Sequence, residues 1–185
     1  YIYIYIYICH LIFSLNMDSK GYQLIDLLNQ QSQSHEVTIF IINDVVDEQI
    51  LNQISSNVQV GRLNRTPGSR SLIPVFKLNY QLEKLNPQVI HCHNHNIIGV
   101  IWFPNLRSKA HLSLYDKRRS QYLNQYKNVY AVSQCIADSV ADDLIYKPRV
   151  IYYGVKLSDI PYKRVFKIQE EQKVFRIVQV GSLEH

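Results

Sequence analysis

The run "HEVTIFII" constrains the fold more than any other stretch of the chain. From Glu36 to Ile42 nearly every residue is apolar or β-branched at both parities of a strand, so neither face can meet water. Such a strand belongs inside a sheet covered on both sides, and the surrounding sequence supplies the covers. Cys9 to Leu15 reads as a strand, and Gly21 to Gln31 as a helix with Leu24, Leu27 and Leu28 on one face. The amphipathic "DEQILNQI", the short strand "VQVGRL" and the loop "NRTPGSRS" follow. Pro74 fits the first turn of a helix whose apolar face continues through Val75, Leu78, Leu82 and Leu85. "NPQVIHCH" is turn then strand, and "IIGVIWF" a short helical segment ended by Pro104. "AHLSLY" and "NVYAVS" are strands, and Ser133 is placed to cap a helix running to about Ile145. "RVIYYGV" is a strand ending at Gly154, followed by a charged stretch over 156–173 and a last strand, "VFRIVQVG". Strands alternating with helices predict an α/β fold, a Rossmann-like parallel sheet with helices on both faces.

In such a sheet the ligand lies beyond the carboxyl ends of the strands. Those ends are "NMDSKG", "INDVV", "HCHNHN", "YDKRR", "AVS" and "YYGV", where polar residues concentrate. Strand alternation would put His91, His93 and His95 on one face, a pattern that invites zinc. Zinc would need a fourth ligand, and Cys-x-x-Cys or His-x-x-x-His spacing is absent, so no metal is expected. Ser133 lacks the Gly-x-Ser-x-Gly surroundings of a nucleophile and reads as a helix cap. Three widely spaced cysteines, Cys9, Cys92 and Cys135, make no disulfide framework, so a reducing, cytoplasmic compartment is the default. A net charge of +5 fits an anionic partner such as a phosphorylated ligand or a lipid surface. No basic run or nucleic-acid motif argues for nucleic acid.

Residues 1–8 are four Tyr-Ile repeats. They have no polar face, and they are far shorter than the ~18 apolar residues of a membrane span. Nor do they carry the basic start and small-residue site of a secretory signal. Tyr can be encoded TAT and Ile ATA, so the run reads as a translated TA repeat ahead of a domain that starts near Cys9. Gain or loss of repeat units would shift the frame and switch expression, a form of phase variation; a start upstream of the repeat fits the missing initiator Met. Physically the run can at most prolong the first strand.

Four stretches carry a family resemblance: "LNPQVIHCHNHNIIGV", "NVYAVSQCIADSV", "VIYYGVKLSDI" and "FRIVQVGSLEH". Their order and spacing resemble the amino-terminal domain of a family-four glycosyltransferase, the retaining type with two Rossmann-like domains called GT-B. The wording is nearest to bacterial enzymes that build lipopolysaccharide or capsule. The resemblance implies an acceptor-side domain over 9–155, a linker over 156–173, and the first strand of a truncated donor-binding domain over 174–185. It implies transfer from a nucleotide sugar to a glycolipid or glycan acceptor, without metal or other cofactor, with peripheral contact on the inner face of an anionic membrane. It places His93 in the acceptor cleft as the catalytic residue, hydrogen-bonded to a sugar hydroxyl or the leaving phosphate; otherwise His93 caps a strand end. Asp18, Ser19, Asn94, His95 and Asp116 would line that cleft, and Gly181 and Ser182 would meet the donor phosphates. Asp116 otherwise reads as part of a solvated loop and Asp18 and Ser19 as turn residues, and Lys117, Arg118 and Arg119 either meet lipid phosphates or glycan acids or form an exposed charge run. Departures from the family pattern are Gly21 standing without a second glycine, Tyr115 for His, Tyr153 for Asn and Ser182 for Arg. With most of the donor side absent, the fragment is expected to be inactive alone; the alternative is a non-catalytic remnant or acceptor-binding module of the same fold.

Overall fold

The computed structural model describes residues 5–118 and 120–154. They fall almost wholly in the first of two units, Tyr1–Tyr153; of the second, Gly154–His185, only Gly154 is described. The linker, the last strand, Gly181, Ser182, Arg119 and the first four repeat residues lie outside them.

Seven strands form one parallel sheet: β1 (Tyr7–Ile12), β2 (Glu36–Asn43), β3 (Val58–Arg65), β4 (Val89–Cys92), β5 (Ala110–Leu114), β6 (Asn128–Ala131) and β7 (Arg149–Val150). Their spatial order is β3-β2-β1-β4-β5-β6-β7, so the chain starts in the middle and winds outward first one way, then the other. The helices are α1 (Ser19–Gln31), α2 (Glu48–Leu51), α3 (Ile73–Leu85), α4 (Pro104–Arg107) and α5 (Gln134–Val140). The expected α/β architecture is therefore present, with β2 at its apolar interior: every residue from Val37 to Asn43 is buried.

The pleat sorts the side chains into two cores. On one face Ile12, Ile39 and Ile41 meet Leu24, Ile25 and Leu28 of α1 and Ile50 of α2. On the other, Cys9, Leu11, Ile90, Cys92 and Leu112 meet Leu78 and Leu82 of α3, Leu106 of α4 and Val140 of α5. Gly21 sits where α1 crosses the end of the β1 loop: a Cβ there would run into the Asn16 carbonyl oxygen and lie 2.9 Å from the Ile50 side chain. The lone glycine of "NMDSKG" is thus fixed by packing.

Several boundaries differ from the periodicity reading. The last repeat unit belongs to the domain, not to a tail: Ile8 is buried and the Tyr7 hydroxyl bonds Thr38 at 2.8 Å. β3 runs on to Arg65, past its short apolar core. The segment after β4 is a 3-10 helix, His95–Val100, that ends before Trp102. Ser133 does cap α5, accepting from the Ile136 N–H at 3.3 Å, but α5 stops at Val140 rather than Ile145. A 3-10 turn, Ala141–Asp143, follows α5, and beyond it the Asn124 side chain holds the backbone by donating to the Asp143 carbonyl and accepting from the Ile145 N–H. β7 is only two residues long, shorter than "RVIYYGV" suggests.

Candidate functional site

Polar side chains meet above β1, β4 and β5, at their carboxyl ends. Asp18 caps α1 by accepting from the Gly21 N–H at 2.7 Å, and Ser19 opens the helix; both are exposed. Asn94 follows β4 and its side-chain oxygen accepts from the Phe13 N–H at 3.2 Å, tying the loops after β1 and β4 together. His95 begins the 3-10 helix beside it, half exposed, with burial lowering its pKa. Asp116 follows β5, exposed, and holds Arg118 by an N–H bond of 3.0 Å and an ion pair of 3.4 Å.

The sequence reading passed over Lys20. From the first turn of α1 its ammonium reaches across to donate to the His93 carbonyl at 2.6 Å, and it lies 4.7 Å from the centre of the Tyr115 ring. Burial lowers its pKa, while Asp18 and Asp116 act in the opposite direction. Asp18, Lys20 and Asp116 thus share one electrostatic neighbourhood although 98 residues separate the two carboxylates (116 − 18).

Beneath this rim the same sheet face carries histidines. Strand register pairs His10 of β1 directly with His91 of β4, and His91 with His111 of β5. His10 is fully buried, and His93 is 1% exposed. His10 Nε2 lies 2.8 Å from Gln31 Oε1, His10 Nδ1 lies 3.0 Å from His93 Nε2, and His93 Nδ1 lies 2.6 Å from the Tyr115 hydroxyl. The direction of these bonds follows from one end. Gln31 Oε1 only accepts, so His10 donates through Nε2. Burial pushes the His10 pKa down to about 4 and that of His93 well below the usual value, so both rings are neutral near pH 7. His10 Nδ1 must then accept from His93 Nε2, and His93 Nδ1 from the Tyr115 hydroxyl. Both nitrogens of His93 are engaged inside the protein. His91 makes its own bond, Nε2 to Ser113 Oγ at 2.8 Å.

His95 is not a member of this row. β4 ends at Cys92 and the chain turns into the 3-10 helix, so strand alternation no longer applies; His10, 83 residues before His93, takes the place that the sequence reading gave to His95. Two departures from the family pattern also meet: the Tyr115 and Tyr153 rings stack at 5.8 Å, with burial pushing the Tyr115 pKa up to about 12.

A second surface lies on α3. Leu72, Ile73, Phe76 and Tyr80 are exposed, as are Trp102 and Phe103 beside them, and the Phe76 and Trp102 rings are 6.2 Å apart. Buried Asn79 holds the two segments together. Its amide donates to the Val75 and Val100 carbonyls at 2.8 Å each, and its oxygen accepts from the Trp102 N–H at 2.8 Å.

The sequence matches the family model "Glycosyltransferase Family 4" over residues 22–159. None of the curated proteins matches it. The fold is similar to that of HepE from Anabaena, solved in complex with UDP and glucose (TM-score 0.63, 18% identity, 83% of this chain and 46% of that one). It is also similar to that of the lipopolysaccharide outer core galactosyltransferase WaaB in its apo form (TM-score 0.62, 12% identity, 86% of this chain and 50% of that one). The chain spans about half the length of these solved structures.

Proposed function

The chain belongs to glycosyltransferase family 4, and from that membership we propose that it is the acceptor-side half of an enzyme that transfers a sugar from a nucleotide-sugar donor to a surface glycan such as lipopolysaccharide. The observation that carries the reading is the rim formed by Asp18, Ser19, Lys20, Asn94, His95 and Asp116 at the carboxyl ends of three neighbouring strands, on a chain of this family. Carboxylates at Asp18 and Asp116 accept from sugar hydroxyls, and Asn94 and His95 supply further polar contacts. Lys20 attracts an acidic sugar or a phosphate. His93 serves the cleft from below as a positioning residue, since its Nδ1 fixes the Tyr115 hydroxyl. Donor contacts fall to Gly181, Ser182 and the region beyond. Names of the similar structures, one bound to UDP and glucose and one a lipopolysaccharide galactosyltransferase, agree with this donor and acceptor class.

The apolar patch on α3 supports peripheral contact with an anionic membrane, where a glycolipid acceptor would reside. Trp and Tyr suit the headgroup level, and exposed Lys77 and Lys84 flank them on the same helix. No helix among the described residues is long and apolar enough to cross a membrane.

Calorimetry on this chain tests the division of labour. A lipopolysaccharide core oligosaccharide is expected to bind, and Asp116→Asn to weaken that binding about tenfold, while UDP-sugars show no saturable heat. Micromolar binding of a UDP-sugar would overturn the assignment of donor contacts to the second unit. Absence of oligosaccharide binding would remove the acceptor cleft. Turnover by the isolated chain would show that the second half is dispensable.

A further inference from the structure

The geometry points to a divalent transition-metal site on His10, His91 and His93. One nitrogen from each ring can be chosen so that all three lie within 4.8 Å of one another. Around a tetrahedral zinc, with Zn–N near 2.0–2.1 Å, neighbouring ligand nitrogens sit about 3.3 Å apart. His10 Nδ1 and His93 Nε2, at 3.0 Å, are already at that spacing. The His91 ring is centred 4.3 Å from His93 and 5.0 Å from His10, so a small ring movement closes the set.

The outer nitrogens make the stronger case. A histidine that ligates a metal nearly always hands its other N–H to an oxygen, which fixes tautomer and ring orientation. Here each of the three rings has one nitrogen on such an oxygen: His10 Nε2 on Gln31 Oε1, His91 Nε2 on Ser113 Oγ and His93 Nδ1 on the Tyr115 hydroxyl. Three oriented imidazoles with no carboxylate suit zinc, cobalt, nickel or copper and not magnesium or calcium. Burial holds the rings neutral, the state in which imidazole is a ligand. Cys9 and Cys92 alternate to the opposite core and contribute no thiolate.

Proton accounting is simple. The metal takes the place of the hydrogen between His10 and His93. His93 exchanges its Nε2 hydrogen for one on Nδ1, the Tyr115 hydroxyl turns to accept it, and no net proton leaves the imidazoles. His10 and His91 keep their Nε2 hydrogens. The ion would cross-link β1 to β4, the two central strands of the sheet, which join its halves.

Cobalt(II) added to the intact chain tests this. One equivalent is expected to bind, with three hyperfine-shifted, solvent-exchangeable imidazole N–H resonances, one for each outer bond. Zinc should displace it and stay at one ion per chain by elemental analysis after dialysis. His91→Asn is expected to lower affinity at least tenfold, and Ser113→Ala by about tenfold. Fewer than three such resonances would overturn the site, as would unchanged stoichiometry and affinity in His91→Asn, because the ion would then lie on other histidines. The wild-type spectrum decides the matter even where a variant does not fold.

Discussion

One rung of the sheet divides the molecule. Followed across the strands in register it reads Val60, Ile39, His10, His91, His111 and Asn128, all on the same face. On the β3-β2-β1 side that face is aliphatic apart from His10 and is covered by α1 and α2 over β1 and β2, with Val60 of the edge strand left exposed. On the β4-β5-β6 side it carries His91, His93, His111, Ser113, Tyr115 and Tyr130, most of them partly exposed. The contrast shows where each part of the free energy goes. Aliphatic burial holds the fold, while the polar half keeps hydrogen-bonding groups near the strand ends at the expense of apolar contact.

The largest test of that division is Leu28→Ala, which removes a fully buried side chain from the aliphatic half. It is expected to lose about 3 kcal/mol in urea unfolding, as large-to-small changes in packed cores do. Tyr130→Ala on the polar half should cost clearly less, and equal losses would break the comparison. Gly21→Ala comes next, at about 2 kcal/mol, because the added methyl meets backbone and must displace α1. Asp18→Ala should cost about 1 kcal/mol through the lost cap. Asp18→Ser keeps a capping oxygen and restores stability but not oligosaccharide binding, which separates the two roles of that carboxylate. The smallest change is expected for His111→Gln. Its side-chain bond to the Tyr130 hydroxyl is long at 3.4 Å, and the effect should stay within about 0.5 kcal/mol.

The two halves also differed in legibility. Periodicity located β2, α1 and the α3 face because apolar burial repeats at fixed intervals, and the rim residues were legible as polar strand ends. The histidine cluster was not. His10 joins it only through the register of β1 on β4, a pairing across 81 residues (89 − 8) that no local pattern encodes. The sequence reading extended alternation to His95, but the strand ends three residues earlier. Lys20 escaped because a lysine in a first helical turn looks solvated, and only the fold brings the Tyr115 ring beneath it. Tyr115 and Tyr153 were each legible as departures, yet their stacking shows them as a matched pair.

The central position of β1 has a consequence in time. Its β2 side can be satisfied early, but its β4 side stays open until Val89 and the residues after it have been made, 81 residues after Ile8. At about 5–20 residues per second, synthesis leaves that edge unpaired for roughly 4–16 s. Throughout this interval the nascent chain offers an unpaired aromatic and aliphatic strand, Tyr7–Ile12, with more Tyr-Ile sequence ahead of it. Two such chains on neighbouring ribosomes have complementary edges before either has its own fourth strand, so yield should fall as translation slows between residues 40 and 90.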